Sequence, residues 1–475
     1  MEGFGKLLRE CIEQQNLSIS QFVRTVNINR GWLYNVFEGK KPLAEEKLQT
    51  MLQCRCFSAA QEALLRESYY ADKYEGNALE RLLYIKRAFA CLAQRGNEAL
   101  PLPPVYVPQK STQSIASEPR ITGALRYLLE RAGAEGNDCV YTNYPFSCEA
   151  LDETVYAVLA AQGENAPRLQ HIVPFERTGV SVQNLRNLFS GLRYFRLRHN
   201  VYYYHSGSTA EFLPYLLFPS FFLSDSCLLL FHPTQNSGLF STEPELVAAA
   251  GFALRQQLTQ CTPLARFPKD EMELKQLIMQ SGKGDVTGGL SYDPCFGKFA
   301  DCELLDAVVR ADIPARDTLI QILANYYKKL MGEQSAMSFY TREGFVDFAK
   351  SGRLHEASEN LLQRAAPELR ARILRMERDF IAANSDKNYL LDERRFPFPK
   401  EICMDFFAQS IALYGIIRKG PERFSGEFFL HIDDPVLAQD FHNLQDYILR
   451  NRFYYPQDYT LHFLKELEME CGVPL

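Results

Sequence analysis

The sequence has no uninterrupted apolar run of ~18 residues. Its longest apolar stretches, such as Phe212 to Leu223, are broken by prolines and a serine, so neither a membrane-spanning helix nor a membrane partner is expected. It also lacks paired CxxC spacings. The 12 cysteines are scattered singly apart from Cys54-Arg55-Cys56, and Cys227 and His232 have no second pair to complete a zinc site. No metal and no cofactor are expected, and the cysteines read as buried thiols of a reducing compartment. Cys54 and Cys56 make a poor redox pair, because residues two apart on a helix point in different directions. The N-terminus opens on a polar, charged helical pattern without the positive, apolar and small-residue zones of a secretion signal, which predicts a cytoplasmic protein.

What the sequence does carry is concentrated between Leu17 and Pro42, LSISQFVRTVNINRGWLYNVFEGKKP. Phe22, Val23 and Val26 recur at the spacing of one helix face and Leu33 and Val36 at that of a second, so two short helices share a core with Leu17 and Ile28. Asn27 sits at the turn, where asparagine tolerates the left-handed conformation. Asn29 suits the N-cap of the second helix, and Ser18 or Ser20 that of the first. Arg24, Arg30, Lys40 and Lys41 face Glu38 alone here, in a chain whose net charge is −6. Local positive charge in an acidic chain fits a face for double-stranded DNA.

This segment resembles the Cro-repressor or xenobiotic-response-element (XRE) type of bacterial helix-turn-helix. Leu17-Ser18, Val26-Asn27-Ile28, Leu33, Val36 and Gly39-Lys40 fall in its register without a gap. Phe4, Leu7, Leu8 and Ile12 supply a preceding helix, and Lys47, Leu48, Met51 and Leu52 a following one. Two positions depart from the family pattern: Ile19 stands where a glutamine usually touches phosphate, and Asn27 replaces a glycine. The resemblance covers roughly the first 70 residues and implies DNA-binding residues Ser18, Asn29, Arg30, Gly31, Trp32, Asn35, Lys40 and Lys41. Arginine forks onto guanine and asparagine onto adenine, each pair giving about 1 to 3 kcal/mol of discrimination. Lys40 and Lys41 are better placed for phosphate.

At 475 residues the chain is too long for one core. The expected fold is multidomain: an all-α N-terminal helix-turn-helix domain (1–70), a helical connector (71–96), a Pro/Ser-rich linker (97–119), then an α/β region with a mixed sheet (120–275 and 276–475). Within that linker, Pro101, Pro103, Pro104 and Pro108 precede Ser111, Thr112, Ser114 and Ser117, a composition that resists both helix and sheet. Beyond it, helical stretches alternate with β-rich runs at Cys139 to Thr142, Leu169 to Pro174, Val201 to His205 and Cys227 to Phe231. Both Thr242-Glu243-Pro244 and Asp433-Asp434-Pro435 lead from a strand into a helix with proline in its first turn. Either a duplicated lobe or two coincidental turns accounts for this. These endings resemble the phospholipase-D-like lobes used as effector domains in some regulators.

That chemistry needs a histidine followed two residues on by lysine, and none of His171, His199, His205, His232, His355, His431, His442 and His462 has it. His355-Glu356 lacks the second histidine of a zinc protease, since Glu359 stands there. Gly282-Lys283-Gly284 lacks the Ser or Thr of a phosphate loop, and Ser206-Gly207-Ser208 lacks the glycines of a nucleophile elbow. The acidic stretch from Glu356 to Arg378 reads as a solvated, ion-paired helix face. In Val201-Tyr202-Tyr203-Tyr204, Tyr202 and Tyr204 share one strand face and Tyr203 takes the other, for packing or for a pocket. The expectation is therefore a sequence-specific DNA-binding transcription regulator, homodimeric, without catalytic residues, answering to a small-molecule or protein effector. The alternative is an interaction scaffold whose helix-turn-helix no longer binds DNA.

Overall fold

Helical periodicity gives way to strand and helix alternation near residue 110 in the computed structural model. It describes all residues except 1, 16, 55, 72–76, 95–100, 137–138, 177–181, 195–198, 207–217, 269–270, 282–285, 295, 331–335, 354–360, 401, 418–425 and 472–475. The chain is multidomain and divides into two units, one of residues 1–83 with 442–453 and one of residues 84–441 with 454–475. No helix among the described residues is long and apolar enough to cross a membrane.

The first unit is helical: α1 (Glu2–Gln14), α2 (Ile19–Val26), α3 (Arg30–Phe37), α4 (Glu45–Gln53), α5 (Ala59–Ala71) and the start of α6 (Ala78–Gln94). Phe4, Leu8, Ile12, Phe22, Val26, Leu33, Val36, Leu48, Met51, Leu52 and Leu65 form its core, with Leu17, Val23 and Ile28 packed at the margin. Gly5 is a packing requirement. A Cβ there would overlap the carbonyl oxygens of Val36 and Phe37, so α1 lies against the end of α3 only without a side chain at this point. The segment 442–453 joins this core: the Tyr447 hydroxyl donates to Glu67 Oε1 at 2.8 Å, and the Arg450 guanidinium lies over the Tyr70 ring.

The second unit holds two sheets. Its first lobe runs β1 (Thr112–Ala116), α7 (Glu118–Ala134), β2 (Cys139–Thr142), α8 (Glu149–Gln162), β3 (Arg168–Glu176), α9 (Gln183–Tyr194), β4 (His199–Ser206), β5 (Ser220–Leu223), β6 (Leu228–His232), β7 (Ser237–Ser241), α10 (Pro244–Leu258) and β8 (Thr262–Pro263). The second runs α11 (Glu271–Ser281), β9 (Val286–Ser291), α12 (Cys302–Val308), α13 (Arg316–Leu330), β10 (Met337–Thr341), α14 (Arg342–Ser351), α15 (Pro367–Ala383), β11 (Asn388–Leu391), β12 (Cys403–Phe407), β13 (Ile411–Ile417), β14 (Gly426–Ile432), the start of α16 (Pro435–Asn451), whose residues from 442 on belong to the first unit, and α17 (Gln457–Cys471).

The strand orders are β1-β7-β6-β5-β2-β3-β4-β8 and β11-β10-β9-β12-β13-β14. Reading the second in reverse aligns β7-β6-β5-β2-β3-β4 with β14-β13-β12-β9-β10-β11. In each lobe the last three of these strands are mutually parallel, and the other three join them through successive antiparallel pairings. The registers agree too: β6 starts and β7 ends on the pair Leu228 and Ser241, as β13 and β14 do on Ile411 and Ile432. Thr242-Glu243-Pro244 and Asp433-Asp434-Pro435 therefore follow equivalent strand ends. A coincidence of two turns does not account for six strands in one order.

One local expectation is corrected. Thr112–Ala116, placed in a stretch expected to resist sheet, pairs along its whole length with β7. The exposed edge of β7 offers unpaired backbone groups, and a short polar strand meets that demand whatever its intrinsic preference.

Candidate DNA interface

The helix-turn-helix is built by its caps. Ser18 Oγ accepts from Gln21 N at 3.2 Å while Gln21 Oε1 accepts from Ser18 N at 2.9 Å, a reciprocal capping box at the start of α2. Asn27 ends that helix at φ 53°, ψ 53°, the left-handed conformation that glycine adopts more freely. Asn29 Oδ1 then accepts from Trp32 N at 3.0 Å and starts α3. The carboxamide oxygen of Asn29 and the hydroxyl of Ser18 are thus engaged in capping.

Helix α3 is held by Leu33, Val36 and Phe37, which are buried. Arg30 and Gly31 are exposed on its first turn, and Trp32 and Asn35 are half-buried. The Arg30 guanidinium lies 5.7 Å from the Tyr34 ring centroid. Lys40 and Lys41, both exposed, are fixed by their amides, which donate to the Asn35 carbonyl at 2.8 and 3.1 Å. The Lys40 ammonium pairs with Glu38 at 2.6 Å, an exposed pair of little energy. A residue missed by the sequence reading is Lys47, whose ammonium sits 4.2 Å from the Trp32 ring centroid. Its apolar neighbours marked α4, but nothing in the sequence paired it with Trp32. Arg24, Arg30, Lys40, Lys41 and Lys47 are all exposed in this small body.

No protein-family profile matches the chain, and no curated protein matches it. Among solved structures, TrmBL2, an archaeal chromatin protein with a novel mode of DNA binding, aligns over 50% of this chain and 84% of its own at 11% identity, with a TM-score of 0.22. The polyphosphate kinase from Porphyromonas gingivalis aligns over 75% of this chain and 56% of its own at 10% identity, with a TM-score of 0.24. The chain thus spans little more than half of that kinase, and neither likeness carries a functional argument.

The expectation of a chain without enzymatic activity is corrected at this point. The missing His-x-Lys pattern excludes one chemistry only, and a polyphosphate kinase is among the similar structures.

In the second unit, Thr262 and Pro263 pair with β4 and, three residues on, Arg266 pairs with Phe429 of β14, so one short segment stitches the two sheets together. Beside it lies a cavity of about 400 Å³ lined by Tyr203, His205, Leu264, His431 and Asp433. Tyr203 stacks on Phe175, while Tyr202 and Tyr204 pack on the opposite face around Ile172 and Leu223. The tyrosine run divides between packing and a pocket. Asp434 is engaged, since its Oδ1 accepts from Val436 N and Leu437 N at 3.1 and 3.0 Å.

The acidic-basic helix is mixed in character. Arg372 and Arg375 form the expected ion pairs with Glu303 and Glu468. Glu377, in contrast, is fully buried against Lys298 at 3.0 Å, and burial raises its pKa against the opposing pull of that ammonium. Of the rejected motifs, Gly282-Lys283-Gly284-Asp285, His355-Glu356 with Glu359, and Gly207-Ser208 lie outside the described residues.

Proposed function

We propose that this protein is a sequence-specific DNA-binding transcription regulator that reads the major groove with α3. The observation that carries the reading is a short helix buried along Leu33, Val36 and Phe37 with Arg30 and Gly31 free of the core on its first turn. On this reading, residues 1–70 form a Cro-type domain, Arg30 and Asn35 address base edges, and Trp32 with Lys47 shapes the flank of the reading helix. Lys40 and Lys41 address phosphate, as do the amides at the start of α3. Two copies act together in the cytoplasm, because one reading helix covers too few base pairs for useful specificity. The two lobes, of phospholipase-D-like type, carry the response to an effector.

The test is the salt dependence of duplex binding by the full-length protein. Each phosphate contact adds about −0.9 to the slope of log K against log salt. Replacing Lys40 and Lys41 together by alanine should weaken every duplex alike and make that slope shallower by roughly 2. A slope unchanged by both substitutions would leave the scaffold alternative ahead.

A further inference from the structure

The second sheet has an anomaly on the face covered by α11 and α13. A buried sheet face is normally filled by branched and aromatic side chains. Here the register places Ser338, Gly289 and Asp405 side by side across β10, β9 and β12, with Ser291 and Tyr340 two residues on. Over them lies a partly enclosed cavity of about 70 Å³. At roughly 15 Å³ of such volume per water, it takes about five waters.

Two observations say that the space is for something. Asp405 lies deep in the lobe and lines the cavity. Among the described residues its carboxylate has one hydrogen-bond donor, the Tyr414 hydroxyl at 3.1 Å from Oδ2, and no basic side chain stabilises its charge. A buried carboxylate in that state is costly unless a cation meets it. Gly289 is the second observation. Its backbone is not left-handed, and an added Cβ would meet only Asp405 Oδ1 and the Met404 carbonyl oxygen, each at 3.7 Å. Neither crowding nor conformation demands glycine here. A side chain would instead fill the cavity, and a glycine inside a strand often marks close approach by a ligand.

The remaining walls suit a cation. Tyr326, Tyr327, Tyr340 and Tyr414 line the space, and tyrosine rings attract ammonium and amidinium groups through their negative faces. The buried Lys298 ammonium pairs with Glu377, donates to the Tyr340 hydroxyl at 2.7 Å and lies 4.6 Å from the Tyr340 ring centroid, so Tyr340 is a wall already met by a cation of the protein.

We propose that this cavity binds a small organic cation, an ammonium compound of roughly five to eight heavy atoms by the volume above, with Asp405 as its counter-ion and Tyr326, Tyr327 and Tyr414 as its cage. The pKa of Asp405 is raised to about 6 by burial, against the Tyr414 bond, so the carboxylate is ionised and available at neutral pH. The site stands independently of the DNA-binding reading.

The test is calorimetric titration of the full-length protein with n-butylammonium and benzylammonium, against 1-butanol and benzyl alcohol as neutral counterparts. Saturable binding of at least one ammonium, at least tenfold tighter than its alcohol, is expected. Asp405→Asn should weaken it at least tenfold, and Gly289→Val should abolish it by filling the floor. Urea unfolding of both variants separates lost binding from lost folding. Equal binding of ammonium and alcohol, retained affinity in a folded Asp405→Asn variant, or no saturable binding of any of the four probes at millimolar concentration would overturn the proposal.

Discussion

Asp405→Asn should make the ligand-free protein more stable at neutral pH, and the size of the gain follows from the site. Burial raises the folded-state pKa of Asp405 to about 6 from the ordinary 3.8, which is worth about 3 kcal/mol. The native state holds the proton more tightly than the unfolded chain, so stability is greatest below about pH 4, falls between about 4 and 6, and is flat above. Asparagine keeps the shape and still accepts the Tyr414 hydroxyl, and it removes the buried charge. The variant should exceed the parent by about 2 to 3 kcal/mol at about pH 7.5 and by about 1 kcal/mol at about pH 4.5. Urea unfolding of both proteins at the two pH values measures this directly. Other titrating groups cancel in the difference between parent and variant. A variant less stable than the parent at the higher pH, or a difference that does not change with pH, would refute the reasoning.

Three further outcomes follow from the same structure. Lys298→Met should cost about 3 to 5 kcal/mol, because it strands the buried Glu377 carboxylate, whereas adding Glu377→Leu should recover most of that loss; denaturant unfolding of both variants decides it. His171, fully buried with its pKa lowered to about 3 by burial, should make the protein acid-sensitive. Its contribution is complete above the unfolded value near 6.5 and is lost as pH falls below it, by about 1.4 kcal/mol per pH unit. His171→Gln, which can still donate to the Tyr144 carbonyl, should flatten that fall in unfolding curves between about pH 6.5 and 4.5. Asn29→Ala removes the cap of α3 and should cost about 1 kcal/mol in urea unfolding, with a larger relative loss of DNA affinity than of stability.

The sequence exposed what depends on neighbours a few residues apart. Asn27 in the turn, Asn29 as a cap and the Phe22, Val26, Leu33 and Val36 core were readable because turn chemistry and the 3/4 spacing act locally. The two proline turns signalled the two lobes of like strand order for the same reason. What lay hidden rests on distant partners. Thr112–Ala116 becomes a strand because β7 lies 129 residues away at Ser241. Tyr447 reaches Glu67 across 380 residues, so nothing local assigns residues 442–453 to the first unit. Leu64 of α5 is 52% exposed, since an apolar side chain on a helix does not by itself say which ridge finds a partner. Asp405 belongs to no motif. Its site exists only where the ladder sets it beside Gly289.

Selection of bound sequences from a random duplex library by the full-length protein tests the central claim most directly. The account predicts enrichment of a defined half-site, repeated about 34 to 36 Å apart if two copies bind. Repeating the selection with Arg30→Ala should relax one base position by about 1 to 3 kcal/mol, and Asn35→Ala another. A library that emerges unenriched, or a motif identical for the parent and both variants, would contradict α3 as the reading helix.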